Sequence, residues 1–515
     1  MQSQLFPGPE PSRVRKLSSS VVDRFHSHWL FADYGAAGVV AAAVTGVLIL
    51  WYTVHFGRLT SEVHRGYGDS AFDIGLYDQG VWLLSRFHAP YVTLMGRNLF
   101  GDHTQFSLIA LVPLYWLRPD ATTLLYVQAF ALALGALPVY LLAMRLLKRP
   151  ELAMLLAAAF LAYPALAQSN LENFHPDCLL VPIVGFAIYA AVINKQRMFI
   201  VCAALALLCK EDAVLIVLPI SVWFALRRDR RIGTIIAFAS VGWALLATNL
   251  IMRLLIGVPT LNTWRIPFGG VSGFIKETLR KPADVVKYLI KADHPNGRPF
   301  YLWQMVAPTG LVFLIAPEVA ATSVLVLALN VISTFGYQHQ IAYHYSMVAI
   351  PGLVLGTVFA AGQLKKERLR TIAVAVVAIS SLWASFLWGP YPWSVHHTVN
   401  HLAPSYSSVR AINSIERKLP PNAVVSAYYS FAPHIDHRRR IYMWPTPFAA
   451  SNWKTFKQEG QRLPEAKDVQ YLLLPPNLED HAGVLDRVKP EFTEVARAEN
   501  DLGQGAVLYK RTPSA

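Results

Sequence analysis

The chain has 515 residues, 54% of them hydrophobic and only 15% charged, with 13 Trp and a formal net charge of +14. Its mean hydropathy of +0.36 places it with polytopic membrane proteins rather than soluble enzymes. The basic excess does not argue for a nucleic-acid partner, because no Lys/Arg run is interleaved with aromatics in the manner of a nucleic-acid groove. Cys178, Cys202 and Cys209 have neither CxxC nor Cys/His spacing, which argues against a disulfide framework or a zinc finger.

Residues 1–33 are polar and carry Arg13, Arg15, Lys16 and Arg24, and the apolar run that follows is too long for a signal-peptide core. It reads as an uncleaved first span with a cytoplasmic N-terminus in a multi-pass protein of the plasma membrane. A span needs about 20 apolar residues. Candidates fall at 34–56, 121–147, 151–168, 177–194, 197–210, 212–226, 232–256, 302–316, 318–335, 345–363 and 371–389. Starting inside, the cytoplasmic connections are Lys148/Arg149, Lys195/Arg197, the run Arg227–Arg231, the turn at Pro317/Glu318, and the run Lys365–Arg370. All but one are basic, as the positive-inside rule asks.

Between the first two spans, residues 57–120 form a long outer loop. It opens with YGDSAFDIGLYDQ, beginning at Tyr67, which sets Asp69, Asp73 and Asp78 among aromatic and aliphatic residues. The segment 104–118 is apolar but short and contains Pro113, so it reads as an interfacial helix on the outer side. The same topology brings four further polar groups to that side. They are Asp102-His103, the 173–177 turn with His175 and Asp177, Lys210-Glu211-Asp212, and Gln338-His339 with His344. Ionisable groups at span ends are costly and mark a functional cavity.

A second outer loop, 257–301, is basic, with Trp264, Arg265, Lys276, Arg280, Lys281, Lys287, Lys291 and Arg298. Two readings stay open for it: attraction of an anionic head group, or a solvated surface with an amphipathic helix near 274–291. After Pro390 the composition changes. A helix over Ser405–Leu419 and strands over Ala423–Ser430, Arg440–Trp444, Val469–Leu474 and Ala506–Arg511 predict a small α/β domain on the outer face, residues 390–515.

Asp73 is the strongest candidate for a general base, since it opens an apolar helix-like run whose N-terminus favours an anion. A helix N-cap is its structural alternative. Asp78 lies inside that run, suited to pairing with a cation, and Asp69 sits in a Gly-Asp-Ser turn. His103, His175, His339 and His344, with Asp102, suggest either a divalent cation held by His and Asp or donors to a phosphate leaving group. Lys210 is either neutralised by Glu211 and Asp212 or a phosphate contact oriented by them.

The acidic opening of the outer loop, the His-Ala-Pro-Tyr turn at 88–91 and the Pro113-Leu114-Tyr115-Trp116 helix resemble the GT-C superfamily of polytopic glycosyltransferases. The combination FDIGLYDQ, GDH, FHPD, KED and YHY more closely resembles one GT-C-like bacterial membrane family known as a domain of unknown function. The resemblance implies an all-α polytopic membrane bundle of about 11 transmembrane helices, residues 34–389, with the α/β domain outside. It also implies transfer of a sugar from a polyprenyl-phosphate donor to a cell-envelope glycan or lipid acceptor, inverting, beside membrane lipids. Asp73, Asp78 and His103 would then be catalytic, and Asp102, His175, Asp177, Lys210, Glu211, His339 and His344 would bind substrate. The loop lacks the acidic doublet of the best-known members, which leaves metal use open. A transporter or flippase of a lipid-linked precursor and a non-catalytic membrane scaffold are the alternative readings.

Overall fold

Helix α1 (Gly35–Arg65) has 31 residues, so at 1.5 Å per residue it runs about 46 Å, well beyond a ~30 Å hydrocarbon core. Its last turns, with His64 and Arg65, therefore stand clear of the apolar layer and carry the Tyr67 loop away from it. Val39, Val40, Val47, Leu50 and Val54 line its exposed flank, as a lipid-facing stripe should. The structure, a computed structural model, describes residues 35–256, 263–291, 297–395, 405–454 and 456–513. The polar segment 1–33 and parts of both the second loop and the bundle-to-domain connection lie outside these residues.

The bundle is built from α4 (Ala121–Leu134) to α11 (Arg230–Leu246) and from α14 (Gly297–Val306) to α17 (Glu367–Trp388). Among the described residues, five stretches are long and apolar enough to cross a membrane: Gly35–Arg65, Ala121–Leu147, Arg230–Ile256, His344–Gln363 and Glu367–Trp388. Helices α6 (Pro150–Leu161) and α7 (Pro164–Leu171) reach that length and hydropathy only together, bent by 41° at the residues before Pro164. The remaining expected spans are shorter. Helices α9 (Gln196–Cys209) and α10 (Val214–Arg227) have 14 residues each, about 21 Å, short of a ~30 Å hydrocarbon core. Segments 302–316 and 318–335 are broken by the 3₁₀ turns Ala307–Thr309, Val312–Ile315 and Ala320–Ser323, with regular helix only in α14 and α15 (Val324–Ile332).

The bundle has two chemically distinct ends. Helix α8 (Leu180–Val192) starts beside Asp177 and ends before Lys195; α9 returns to Lys210; α10 runs out to Arg227; and α16 (Ile350–Gln363) runs from the His344 turn toward Lys365. At the basic end Arg149 pairs with Glu151 and Glu367, and Arg227 pairs with Glu318. The Pro317/Glu318 turn is thus at the same end as the basic connections.

Two short pieces complete the outer loop: helix α2 (Leu76–Ser85), and the ribbon of β1 (Tyr91–Val92) and β2 (Arg97–Asn98). The expected interfacial helix is a 3₁₀ turn, Phe106–Leu111, running into α3 (Val112–Leu117). In the second loop the expected amphipathic helix is divided into α12 (Val271–Arg280) and α13 (Pro282–Ile290), because Pro282 begins a new helix.

The C-terminal region is a five-stranded mixed sheet of order β4-β3-β5-β7-β6. Strands β3 (Val425–Ala427), β4 (Ile441–Met443) and β5 (Tyr471–Leu474) are parallel; β7 (Gly505–Arg511) runs antiparallel to β5 and to β6 (Phe492–Glu499). Helix α18 (Ser407–Glu416) packs on this sheet through Val409, Ile412 and Ile415. Strand β6 is absent from the sequence reading, because FTEVARAE is an exposed edge strand with charges where an apolar alternation would signal it.

The sheet domain and the outer loop pack as one body. Ile74, Leu94 and Met95 of the loop share a core with Phe431, Ile435 and Ile441. Thr93 Oγ1 donates to the Ile441 carbonyl at 2.7 Å and accepts from its amide at 2.9 Å. Gly96 has φ +64°, and a Cβ there would come within 2.5 Å of the Trp453 ring. Inside the bundle, Gly356 lets α16 touch the 320–323 turn, where a Cβ would lie 2.4 Å from the Ala320 nitrogen. Gly356→Val should therefore cost about 1–3 kcal/mol of overpacking. The detergent-solubilised variant is expected to melt several degrees below the parent; equal melting would contradict this packing.

Candidate active site

The loop reaches the bundle at Asp73, and it does so through an unusual backbone. Phe72 is extended (φ −74°, ψ 123°) and Asp73 has φ 87°, ψ −95°, close to the strained γ-turn region. A side chain held at positive φ costs on the order of 1–3 kcal/mol and persists where its surroundings over-determine it. Those surroundings are specific. Four residues earlier, the Asp69 carboxylate meets His64 Nδ1 at 2.5 Å, and the His64 ring stacks on His434 at 4.3 Å. The Ala71 amide donates to the Tyr429 carbonyl at 2.7 Å. Five residues later, Asp78 Oδ1 accepts from Tyr115 at 2.5 Å and lies 3.0 Å from His437 Nε2. Helix α2 begins only at Leu76, and Asp73 caps nothing with its side chain.

The released Asp73 carboxylate, about one-third exposed, faces His175, with Oδ1 3.4 Å from Nε2. His175 is fixed by its amide donating to Gln128 Oε1 at 2.8 Å and by Nδ1 lying 3.1 Å from the Asn173 carbonyl. Its ring stacks on His344 at 3.7 Å, 17° from parallel. Glu172 holds the pair together: its Oε2 accepts from the His344 amide at 2.6 Å and lies 3.1 Å from His344 Nδ1 and 3.8 Å from His175 Nδ1. Tyr77, the second residue of α2, sets its ring edge against Phe174 and His175. Burial alone would discharge His175, but Glu172 and then Asp73 hold its proton to about pH 9, so a cation faces Asp73 at neutral pH.

Behind this pair lies a row of buried ions. Lys210 Nζ sits 3.0 Å from Asp177 and 3.3 Å from Asp212. His103 Nδ1 lies 2.6 Å from Glu211, whose second oxygen accepts from the Thr104 amide at 3.1 Å. Burial disfavours the His103 charge, but Glu211 raises its pKa to about 9. Burial also opposes the Glu211 charge, yet His103 and Lys210 hold its pKa near 2.

Asp73, His175, His344, Asp177, Lys210, Glu211 and His103 thus meet at one end of the bundle. Asp102 instead pairs with Arg97 at 2.5 Å, and Arg97 reaches the Lys454 carbonyl in the sheet domain. Asp78 finds its cation in that domain rather than across the bundle, and Asp69 is a bridge to it as well as a turn residue. His339 is buried on the adjoining Gly336–His339 turn. Sequence reading passed over Glu172, whose part in the FHPD turn is visible only once His344 arrives from 172 positions away. It also passed over the His434-Ile-Asp436-His437 run, whose density of titratable groups was the available signal. Of the second loop, Arg298 is buried against the Val331 and Ser333 carbonyls, a structural role. Arg265 lies over the Phe335 and Tyr345 rings, beside His344.

Metal ligation by the His175–His344–Glu172 group meets a geometric obstacle. Imidazole binds an ion in its ring plane, and one ion cannot lie in two parallel planes 3.7 Å apart. The His64–His434–Asp69 group stacks in the same way, 3° from parallel.

A family profile described as "Predicted membrane protein (DUF2079)" matches residues 69–494. No curated protein matches the chain in sequence. Among solved structures, ArnT from Cupriavidus metallidurans bound to undecaprenyl phosphate is similar, with a TM-score of 0.53 at 13% identity over 91% of this chain and 99% of that one. The apo form of the same protein gives 0.51 at 13% identity, covering 91% and 98%. The overall fold is thus like that of ArnT.

Two outcomes test the ion row. The His103 and His175 imidazoles bind protons more tightly in the folded state than at their ordinary 6.5. Their contribution to stability is therefore complete below about pH 6.5 and is lost as pH rises through about 9. Melting temperature followed from pH 6 to 10 should decline around pH 9, less steeply in His103→Gln; a flat profile would contradict the pairing. Lys210→Met leaves Asp177 buried without its cation and should cost about 3–5 kcal/mol. Adding Asp177→Asn should recover most of that loss in a double-mutant cycle, and strict additivity would show that the two do not interact.

Proposed function

The chain belongs to the DUF2079 family of predicted membrane proteins, and from that membership and the geometry above we propose that it is a membrane glycosyltransferase using a polyprenyl-phosphate-linked sugar. The observation that carries this reading is the Asp73 carboxylate, held on strained backbone opposite a protonated His175 where the loop meets the bundle. Inverting transfer needs an oriented carboxylate on the acceptor side of the anomeric carbon and donors to the phosphate on the other side. Asp73 takes the proton of an acceptor hydroxyl as its oxygen bonds to the sugar's anomeric carbon. The bond from that carbon to the donor phosphate breaks on the opposite face, and its electron pair leaves with the phosphate.

Charge grows on the departing phosphate, so fixed donors help most there. His175, with Nε2 3.4 Å from Asp73, stands on the base's own side of the sugar and orients that carboxylate. Arg265 is the donor available to the phosphate, since it lies beside Tyr345 and its Nε has no hydrogen-bond partner among the described residues. Lys210 and His103 are already ion-paired, and they act by holding the 177 and 211 turns in register. The undecaprenyl phosphate of the ArnT complex supports a polyprenyl-phosphate donor here as well. The segregation of basic connections to one end of the bundle supports placing this site on the outer face of the plasma membrane.

The test is sugar transfer by protein reconstituted with membrane polyprenyl-phosphate sugars. Asp73→Asn should reduce turnover by a factor of 10³ or more with the melting temperature kept, and His175→Gln by about 10²–10³. Undiminished turnover in Asp73→Asn would exclude it as the base. Movement of the lipid across proteoliposomes without transfer would favour a flippase.

A further inference from the structure

A third cluster of ligand-type atoms lies outside the Asp73 centre, where the sheet domain clamps helix α2. Asp78, Asp436 and His437 each offer one atom within 4.8 Å of the others. This group contains a single imidazole, so the stacking obstacle of the other two clusters does not arise. His437 Nε2 is 3.0 Å from Asp78 Oδ1 and 3.9 Å from Asp436 Oδ1. Ligands of a tetrahedral zinc, each at roughly 2.0–2.1 Å from the ion, lie about 3.3 Å from one another, between these two spacings.

The electrostatics also call for a cation. Asp436 is 1% exposed and Asp78 2%, and Oδ2 of Asp436 has no hydrogen-bond partner among the described residues. Two buried carboxylates facing one imidazole leave negative charge unbalanced in a medium that penalises it strongly. Arg438 acts on Asp436 only through space, because its guanidinium donates to the Ile435, Pro420 and Ala423 carbonyls. Tyr115 donates to Asp78 Oδ1 at 2.5 Å, the kind of outer hydrogen bond that orients a ligating carboxylate. The His437 side chain is 30% exposed, which provides both an entry path and room for a water as fourth ligand.

We propose that Asp78, Asp436 and His437 bind a divalent cation of the zinc class, which ties the sheet domain to helix α2. The ion would act on structure, not on the sugar: it fixes α2 five residues beyond Asp73 and so helps hold that residue's backbone. The competing arrangement is a proton shared between the two carboxylates, with no metal.

The full chain, purified in detergent, is dialysed against buffered Zn(II), its metal content measured and its melting followed with and without chelator. The expected result is one zinc per chain and a lower melting temperature on chelation. Asp436→Asn should lose the zinc and its melting should become insensitive to chelator, and His437→Gln should bind at least tenfold more weakly. Should either variant fail to fold, Co(II) loaded into the unaltered chain decides the matter, because a tetrahedral site gives intense visible bands and a solvent-coordinated ion does not. Absence of stoichiometric zinc in the unaltered chain, or uptake unchanged in both variants, would overturn the proposal and leave the shared proton.

Discussion

The architecture turns on one constraint: Asp73 must stand at positive φ for its carboxylate to face the bundle. Such a backbone is paid for by its neighbours, and here they are two further aspartates of the same loop. Asp69 grips His64 at the end of α1 and Asp78 grips Tyr115 and His437, so the strained residue is fixed on both sides. Each grip also engages the C-terminal domain, through His434 and His437. Removing that domain would free the loop that carries Asp73, which makes the soluble-looking appendage part of the site's scaffold.

The second constraint is dielectric. Near a bilayer an unpaired charge is expensive, so the polar end of the bundle is assembled as pairs: Lys210 with Asp177 and Asp212, His103 with Glu211, His175 with Glu172. His175 differs because it also faces Asp73, whose carboxylate is about one-third exposed and has no other cation beside it in the set. Structural ions are saturated by each other, while the Asp73–His175 pair stays open to a third group.

Much of this was legible in the sequence, in uneven measure. Hydropathy and Lys/Arg placement foretold a bundle with a basic end and a chemically rich end, because both follow from composition along single helices. Topology put Asp73, His175, Lys210 and His344 on one side of the bundle, but their approach to one another there depended on the folded loop. The partners within that end were not legible: Glu172 reaches His344, and Asp78 reaches His437, over separations that no local pattern encodes. Strand β6 escaped because an edge strand needs no apolar face, and the helical lengths of 302–335 because 3₁₀ turns share the composition of a span.

The most direct measurement is the position of a polyprenyl phosphate bound to the protein in a lipid nanodisc, determined by electron cryomicroscopy. The phosphate is predicted within hydrogen-bond reach of Arg265, at the Asp73 end of the bundle. A phosphate seated at the opposite, basic end among Arg149, Arg227 and Lys365 would contradict the account.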